Sequence, residues 1–131
     1  MSNLEKLLAD GALARAALRT CGFALAIIDA AAAGRPVIYA NPAFESFFGL
    51  RPGEAAGLPL ALLIFRGDEA QLYRLLAQAP AHRELETWSK DGSVRHVEMT
   101  LGPVRNPDGR LTQWVVGFAD LQRLKALAVA A

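Results

Sequence analysis

A chain of 131 residues, 53% hydrophobic and 21% charged, is long enough for one cored domain, too short for two and too apolar to remain disordered. Fourteen Lys and Arg against thirteen Asp and Glu leave a formal charge of +1, so no overall field draws the chain to nucleic acid. No apolar stretch reaches the roughly 20 residues a bilayer demands, and no basic-then-apolar leader pattern opens the sequence; a soluble, cytoplasmic protein without membrane attachment is expected. A single cysteine, Cys21, with only His82 and His96 beside it, excludes an intramolecular disulfide and any zinc-ligand spacing.

Leu4, Leu7, Leu8, Ala12 and Leu18 recur at helical spacing, which predicts an amphipathic helix over residues 2–19, ended by Gly22. From Phe23 the pattern becomes a short apolar run to Asp29, a link to Arg35 and a second run from Pro36 to Ala40, the signature of two strands in a hairpin. Asn41-Pro42 then offers a capping side chain and a proline at the first helical position, with Phe44, Phe47 and Phe48 on one side and Gly49 as a left-handed stop. Arg51 to Gly57 predicts a one-turn helix, and Leu58 to Phe65 short helical turns. Asp68 caps a longer helix carrying Leu72, Leu75, Leu76 and Ala79 before Pro80.

Three strands follow, Glu84 to Ser89, Arg95 to Arg105 and Arg110 to Asp120, separated by turns at Asp91-Gly92 and Asn106-Pro107-Asp108-Gly109. Leu121, Leu124 and Leu127 mark a terminal helix. The order predicts an α+β fold: a five-stranded antiparallel sheet with short helices on one face. Three units are expected: a capping or dimerising helix over 1–20, a central domain over 21–121 and a linker helix over 122–131.

The string Pro36-Val-Ile-Tyr-Ala-Asn-Pro-Ala-Phe44, then Phe48-Gly49, Gly53-Glu54-Ala-Ala-Gly57, Lys90-Asp91-Gly92, Gly102-Pro103-Val104-Arg105 and Asp108-Gly109, resembles a PAS domain. The match is closest to the light-oxygen-voltage (LOV) branch and spans about three quarters of the chain, from Gly22 to Asp120. The resemblance implies structural roles for Asn41, as the cap after the second strand, and for Glu54, as the acid facing Lys90. At Asp120-Leu121-Gln122 it keeps only the aspartate of the family's Asp-Ile-Thr junction to an output helix.

LOV domains hold flavin mononucleotide and form a photoadduct with a cysteine in the pattern Gly-Arg-Asn-Cys-Arg-Phe-Leu-Gln. Here the stretch reads Gly57-Leu58-Pro59-Leu60-Ala61-Leu62-Leu63-Ile64. By that alignment the cysteine is Leu60, the phosphate-binding arginine Ala61 and the glutamine Ile64. The two ring-reading asparagines fall on Thr87 and Val97, and the last-strand glutamine on Ala119. No thiol is expected at a flavin, and lost partners would leave the ring's polar groups unpaired at roughly 1 to 3 kcal/mol each. No cofactor is therefore expected, with flavin, as FMN or FAD, as the alternative; haem lacks a histidine on the long helix that supplies its axial ligand.

Alternation on the last two strands turns Val97, Met99 and Leu101, and Val115, Gly117 and Ala119, inward, where with Leu25, Ile27, Phe44, Phe48, Leu60, Leu62 and Leu76 they are expected to line an interior, closed or holding a small apolar ligand. The complementary set, Trp114, Val116 and Phe118, is then an apolar outer face, joined by Trp88. With Leu4, Leu7, Leu8 and Leu18 it predicts a homodimer interface. Glu84 and Glu86, Asp29 and the serines form no catalytic constellation. The sequence reads as a non-enzymatic PAS sensory and signal-transduction module acting through protein contacts, with an effector or kinase domain as a further partner. A ligand- or flavin-binding sensor of a larger signalling protein is the alternative.

Overall fold

The computed structural model describes Ala16, Thr20 and residues 22–121 of the chain. The predicted helices over 2–19 and 122–131 lie outside the described residues, apart from Ala16 and Thr20, whose hydroxyl donates to the Ala16 carbonyl at 2.9 Å. Five strands, β1 (Ala24–Asp29), β2 (Val37–Ala40), β3 (Ala81–Trp88), β4 (Val94–Arg105) and β5 (Leu111–Asp120), form one antiparallel sheet in the order β2-β1-β5-β4-β3. Three helices, α1 (Pro42–Phe48), α2 (Leu60–Ile64) and α3 (Glu69–Ala77), occupy the β2–β3 connection and pack on one face of the sheet.

Local chemistry sets the element ends. The Asn41 side chain accepts from the Phe44 amide, and Pro42 follows at the first helical position. Gly49, at φ +71°, ends α1, and the amides of Gly49 and Leu50 close onto the carbonyls of Ser46 and Glu45. Asp68 caps α3 by accepting from the Gln71 amide at 3.2 Å. The predicted one-turn helix over Arg51 to Gly57 does not form: Gly53 and Gly57 stand at φ +79° and +81°, which breaks the segment into turns. Strand β3 starts at Ala81, three residues before the predicted start, because its polar first half is carried by pairing to the longer β4, from Ala81 opposite Leu101 onward.

The core lies between the sheet and the helices. Ala24, Ala26 and Ile28 of β1, Val97, Met99 and Leu101 of β4, and Trp114, Val116 and Phe118 of β5 face it. They meet Phe44, Phe48, Leu60, Ile64, Phe65 and Leu72 from the helices and loops. Two of the pairs are matched in volume, Ala24 opposite Phe118 and Ala26 opposite Val116, while Ile28 lies opposite Trp114. Ala24 and Ala26 leave room for the Phe118 ring and for the rings of α1.

This register corrects the expected faces of the two central strands. Trp114, Val116 and Phe118, predicted outward, are interior, and Val115, Gly117 and Ala119, predicted inward, lie half-buried on the opposite face. Leu25 and Ile27 move with them, since Leu25 pairs with Gly117 and Ile27 with Val115. Strand alternation makes each swap total: once Phe118 is inside, both its neighbours are outside.

Candidate functional site

Of the side chains expected to line an interior cavity, Phe44, Phe48, Leu60, Val97 and Met99 are completely or almost completely buried, and Leu76 is buried as well. Ile27, Val115 and Ala119 belong to the outer face, and Leu62 points away from the core at 57% exposure. Leu62 follows Leu60 and Ala61, both at 0%, on a helix of five residues, where only one side can face the sheet.

Aromatic rings fill the centre. The Phe44 and Phe48 centroids are 4.7 Å apart, Phe118 sits 5.8 Å from Phe44 and 5.2 Å from Phe48, and Phe47 lies 4.9 Å from Phe48. Tilted and edge-on contacts at these distances are favourable for aromatic pairs. Three polar side chains are buried with them, and each has partners. Asn41 Oδ1 accepts from the Leu25 and Phe44 amides, both at 2.9 Å, and Nδ2 donates to the Phe23 carbonyl at 2.8 Å. The Thr87 hydroxyl donates to the Arg95 carbonyl at 3.4 Å. Ser89 donates to the Phe47 carbonyl at 3.3 Å and accepts from Arg95 Nε at 3.1 Å.

A flavin ring must find hydrogen-bonding partners for its polar edge. Leu60, Ala61, Ile64 and Val97 are apolar and fully buried, Thr87 is engaged with backbone, and no buried side-chain nitrogen or oxygen among the described residues is left without a partner. Ala119 faces the other way, so the side chain of β5 that meets the interior there is Phe118, larger and equally unable to hydrogen-bond. The residues present do not fit a flavin. Among the described residues no group of His, Cys, Asp and Glu is arranged to hold a metal ion. None of their helices is long and apolar enough to cross a membrane.

Glu54 and Lys90 meet as expected, with Lys90 Nζ donating to Glu54 Oε2 at 2.6 Å. The Lys90 ammonium, and next the Arg51 amide donating at 2.9 Å, hold the Glu54 carboxyl below its ordinary value. The Ser93 hydroxyl and amide likewise hold Asp91 low in the β3–β4 turn. Asp29 organises the β1–β2 loop by accepting from the Ala31 and Ala32 amides. Both histidines are exposed on the outer face, His82 against Glu98 and Thr100 and His96 3.9 Å from Glu86.

The outer face keeps an apolar stripe, built from the residues that alternation had placed inside. Leu25, Ile27, Val115, Gly117 and Ala119 run across β1 and β5, and Phe23, 63% exposed, stands at the entry to β1. Of the predicted interface residues, Leu4, Leu7, Leu8 and Leu18 lie outside the described residues. Trp88 is not part of the stripe. It packs against the helix-side core, with the Arg66 guanidinium 4.7 Å from its ring centroid. Nothing in the periodicity singled out Arg66, whose one signal is its place before Gly67 in the α2–α3 turn.

A family model described as the PAS fold matches residues 14–121. Among solved structures, an RNA-binding light-oxygen-voltage receptor is similar at 30% identity with a TM-score of 0.75, over 98% of this chain and 40% of that one. This chain therefore spans well under half of that receptor. A PAS domain of a protein from Colwellia psychrerythraea gives a TM-score of 0.71 at 19% identity, covering 82% of this chain and 92% of its own. The LOV protein of Rhodobacter sphaeroides gives 0.71 at 24%, covering 83% and 65%. The last two bear on the fold alone. No curated protein matches the chain.

Proposed function

The chain belongs to the PAS family, and from that premise we propose that it is a sensory and signal-transducing module that works by protein contact, pairing with a second copy through the outer face of its sheet. The observation that carries this reading is the stripe Leu25, Ile27, Val115, Gly117 and Ala119 on a face turned away from the core. An antiparallel sheet with one solvated face should alternate apolar and polar residues, whereas β1 and β5 are apolar on both sides.

A second copy is the fitting occupant because the amphipathic segment predicted over residues 2–19 leads directly into β1 beside the stripe. A two-fold pair buries the same patch on both partners, so one apolar stripe serves both sides of the contact. Asp120 and Leu121 then form the junction through which a change in that contact passes toward residues 122–131 and an effector or kinase domain. Cofactor photochemistry is no part of the reading, since the interior is occupied by Phe44, Phe48 and Phe118.

Size-exclusion chromatography with light scattering tests it. The chain is expected to run as a dimer, and Val115→Arg, which changes only the outer face, is expected to give a folded, cooperatively melting monomer whose melting temperature no longer depends on protein concentration. A wild-type chain that stays monomeric at high concentration sinks the reading.

A further inference from the structure

A hollow of about 350 Å³ opens between α2, the turns after α1 and the end of β3. It is lined by Leu50, Leu58, Leu62, Leu63, Trp88 and Arg66, with Glu54 and Lys90 at its rim. Single exposed leucines need no explanation, but four leucines and a tryptophan gathered around one concavity form a patch. Leu62 alone is 57% exposed, on a helix whose Leu60, Ala61 and Ile64 are wholly buried.

Arg66 gives the hollow its chemistry. It stands at φ +54°, a conformation uncommon for a residue with a side chain, and this places its guanidinium over the Trp88 ring at 4.7 Å. The contact with Trp88 is made by the cation over the ring and uses none of the guanidinium N–H donors as hydrogen bonds. No oxygen among the described residues accepts from them. The carboxylate in the lining, Glu54, is already engaged by Lys90 at 2.6 Å. The hollow therefore offers apolar walls and a guanidinium that no carboxylate of the described residues engages, the chemistry that suits the head group of a carboxylate ligand.

We propose that this hollow binds a small amphiphilic carboxylate, its apolar body resting on Leu58, Leu62, Leu63 and Trp88 and its head group bridging the Arg66 N–H donors. The volume lies within the usual range for small-ligand sites. The site is on the helix side of the sheet, separate from the outer stripe, so it stands whether or not the chain pairs with itself.

The test follows the Trp88 indole N–H by nuclear magnetic resonance during titration with octanoate and, separately, with octylammonium, both kept below micelle formation. Octanoate is expected to shift Trp88 saturably, and Arg66→Gln to weaken it by about tenfold, the scale of one charge-assisted hydrogen-bonded contact. Octylammonium is expected to bind more weakly and to be indifferent to Arg66→Gln. Leu62→Asp, a change at an exposed position, is expected to abolish the octanoate shift with no loss of fold. The proposal is overturned by no saturable shift, by equal binding of the two probes to the wild-type chain, or by undiminished octanoate binding to folded Arg66→Gln.

Discussion

Asn41 shows how much one side chain can hold. Its fully buried amide spans the start of β1 and the start of α1, satisfying the Phe23 carbonyl and the Leu25 and Phe44 amides. Asn41→Ala removes the partner of all three backbone groups, the Phe44 amide being the fully buried one; at roughly 1 to 3 kcal/mol for an orphaned buried group, about 2 kcal/mol is expected. Urea unfolding measures it, and a loss below about 1 kcal/mol would show that the surroundings re-pair those groups. Its capping role was legible because the Asn-Pro pair is a local signal. Its reach to β1 was not, since Phe23 and Leu25 are 18 and 16 positions away along the chain.

Glu54 acts at the same scale but through pH. Its folded carboxyl titrates below the ordinary 4.5 because Lys90 and the Arg51 amide favour the ionised form. The unfolded chain therefore binds the proton more readily. The stabilisation is full above about pH 4.5 and is lost as pH falls through the folded value. Glu54→Gln should flatten the acid side of the stability curve and leave its slope unchanged at higher pH. Asp91, held low by Ser93, keeps some acid sensitivity in that variant. Urea midpoints from about pH 6 down to about pH 3 check it, and parallel curves for the two proteins would remove Glu54 from the account.

At the scale of elements, ends were easier to read than faces. Gly49, Asp68, Gly92 and Gly109 each act through backbone conformation or a cap within a few residues, so α1, α3 and both late turns fall where their punctuation stands. A face depends on what lies across the sheet. On β5 both alternations are apolar, and periodicity alone cannot choose between Trp114-Val116-Phe118 and Val115-Gly117-Ala119. The deciding signal was volume complementarity: the bulky β5 set needs small neighbours, and Ala24 and Ala26 of β1 supply them. Phe118→Ala, which opens a void beside Phe44 and Phe48, should cost about 3 to 5 kcal/mol, while Val115→Ala should cost less than about 1 kcal/mol in the isolated protomer. The reverse ranking in urea unfolding would return β5 to the opposite face.

At the scale of the whole molecule, the PAS family was legible from the order of its punctuation, and the loss of the flavin partners from the residues that replace them. Ala119, expected to face the interior, gives that place to Phe118, because one residue along a strand is a change of face. The correction strengthens the argument against a flavin. A small side chain would have left space at the end of the sheet, whereas the Phe118 ring fills it against Phe44 and Phe48. A ligand that binds only the folded chain must raise its stability, by about 2.7 kcal/mol at a hundredfold excess over its dissociation constant. In a domain of this size that shifts melting by roughly 10 °C. FMN added to the chain is expected to leave the melting temperature and the cofactor's absorption spectrum unchanged. A rise on that scale would require Phe48 and Phe118 to part and admit the ring, and signalling would then begin in the interior instead of on the surfaces that bear Val115 and Arg66.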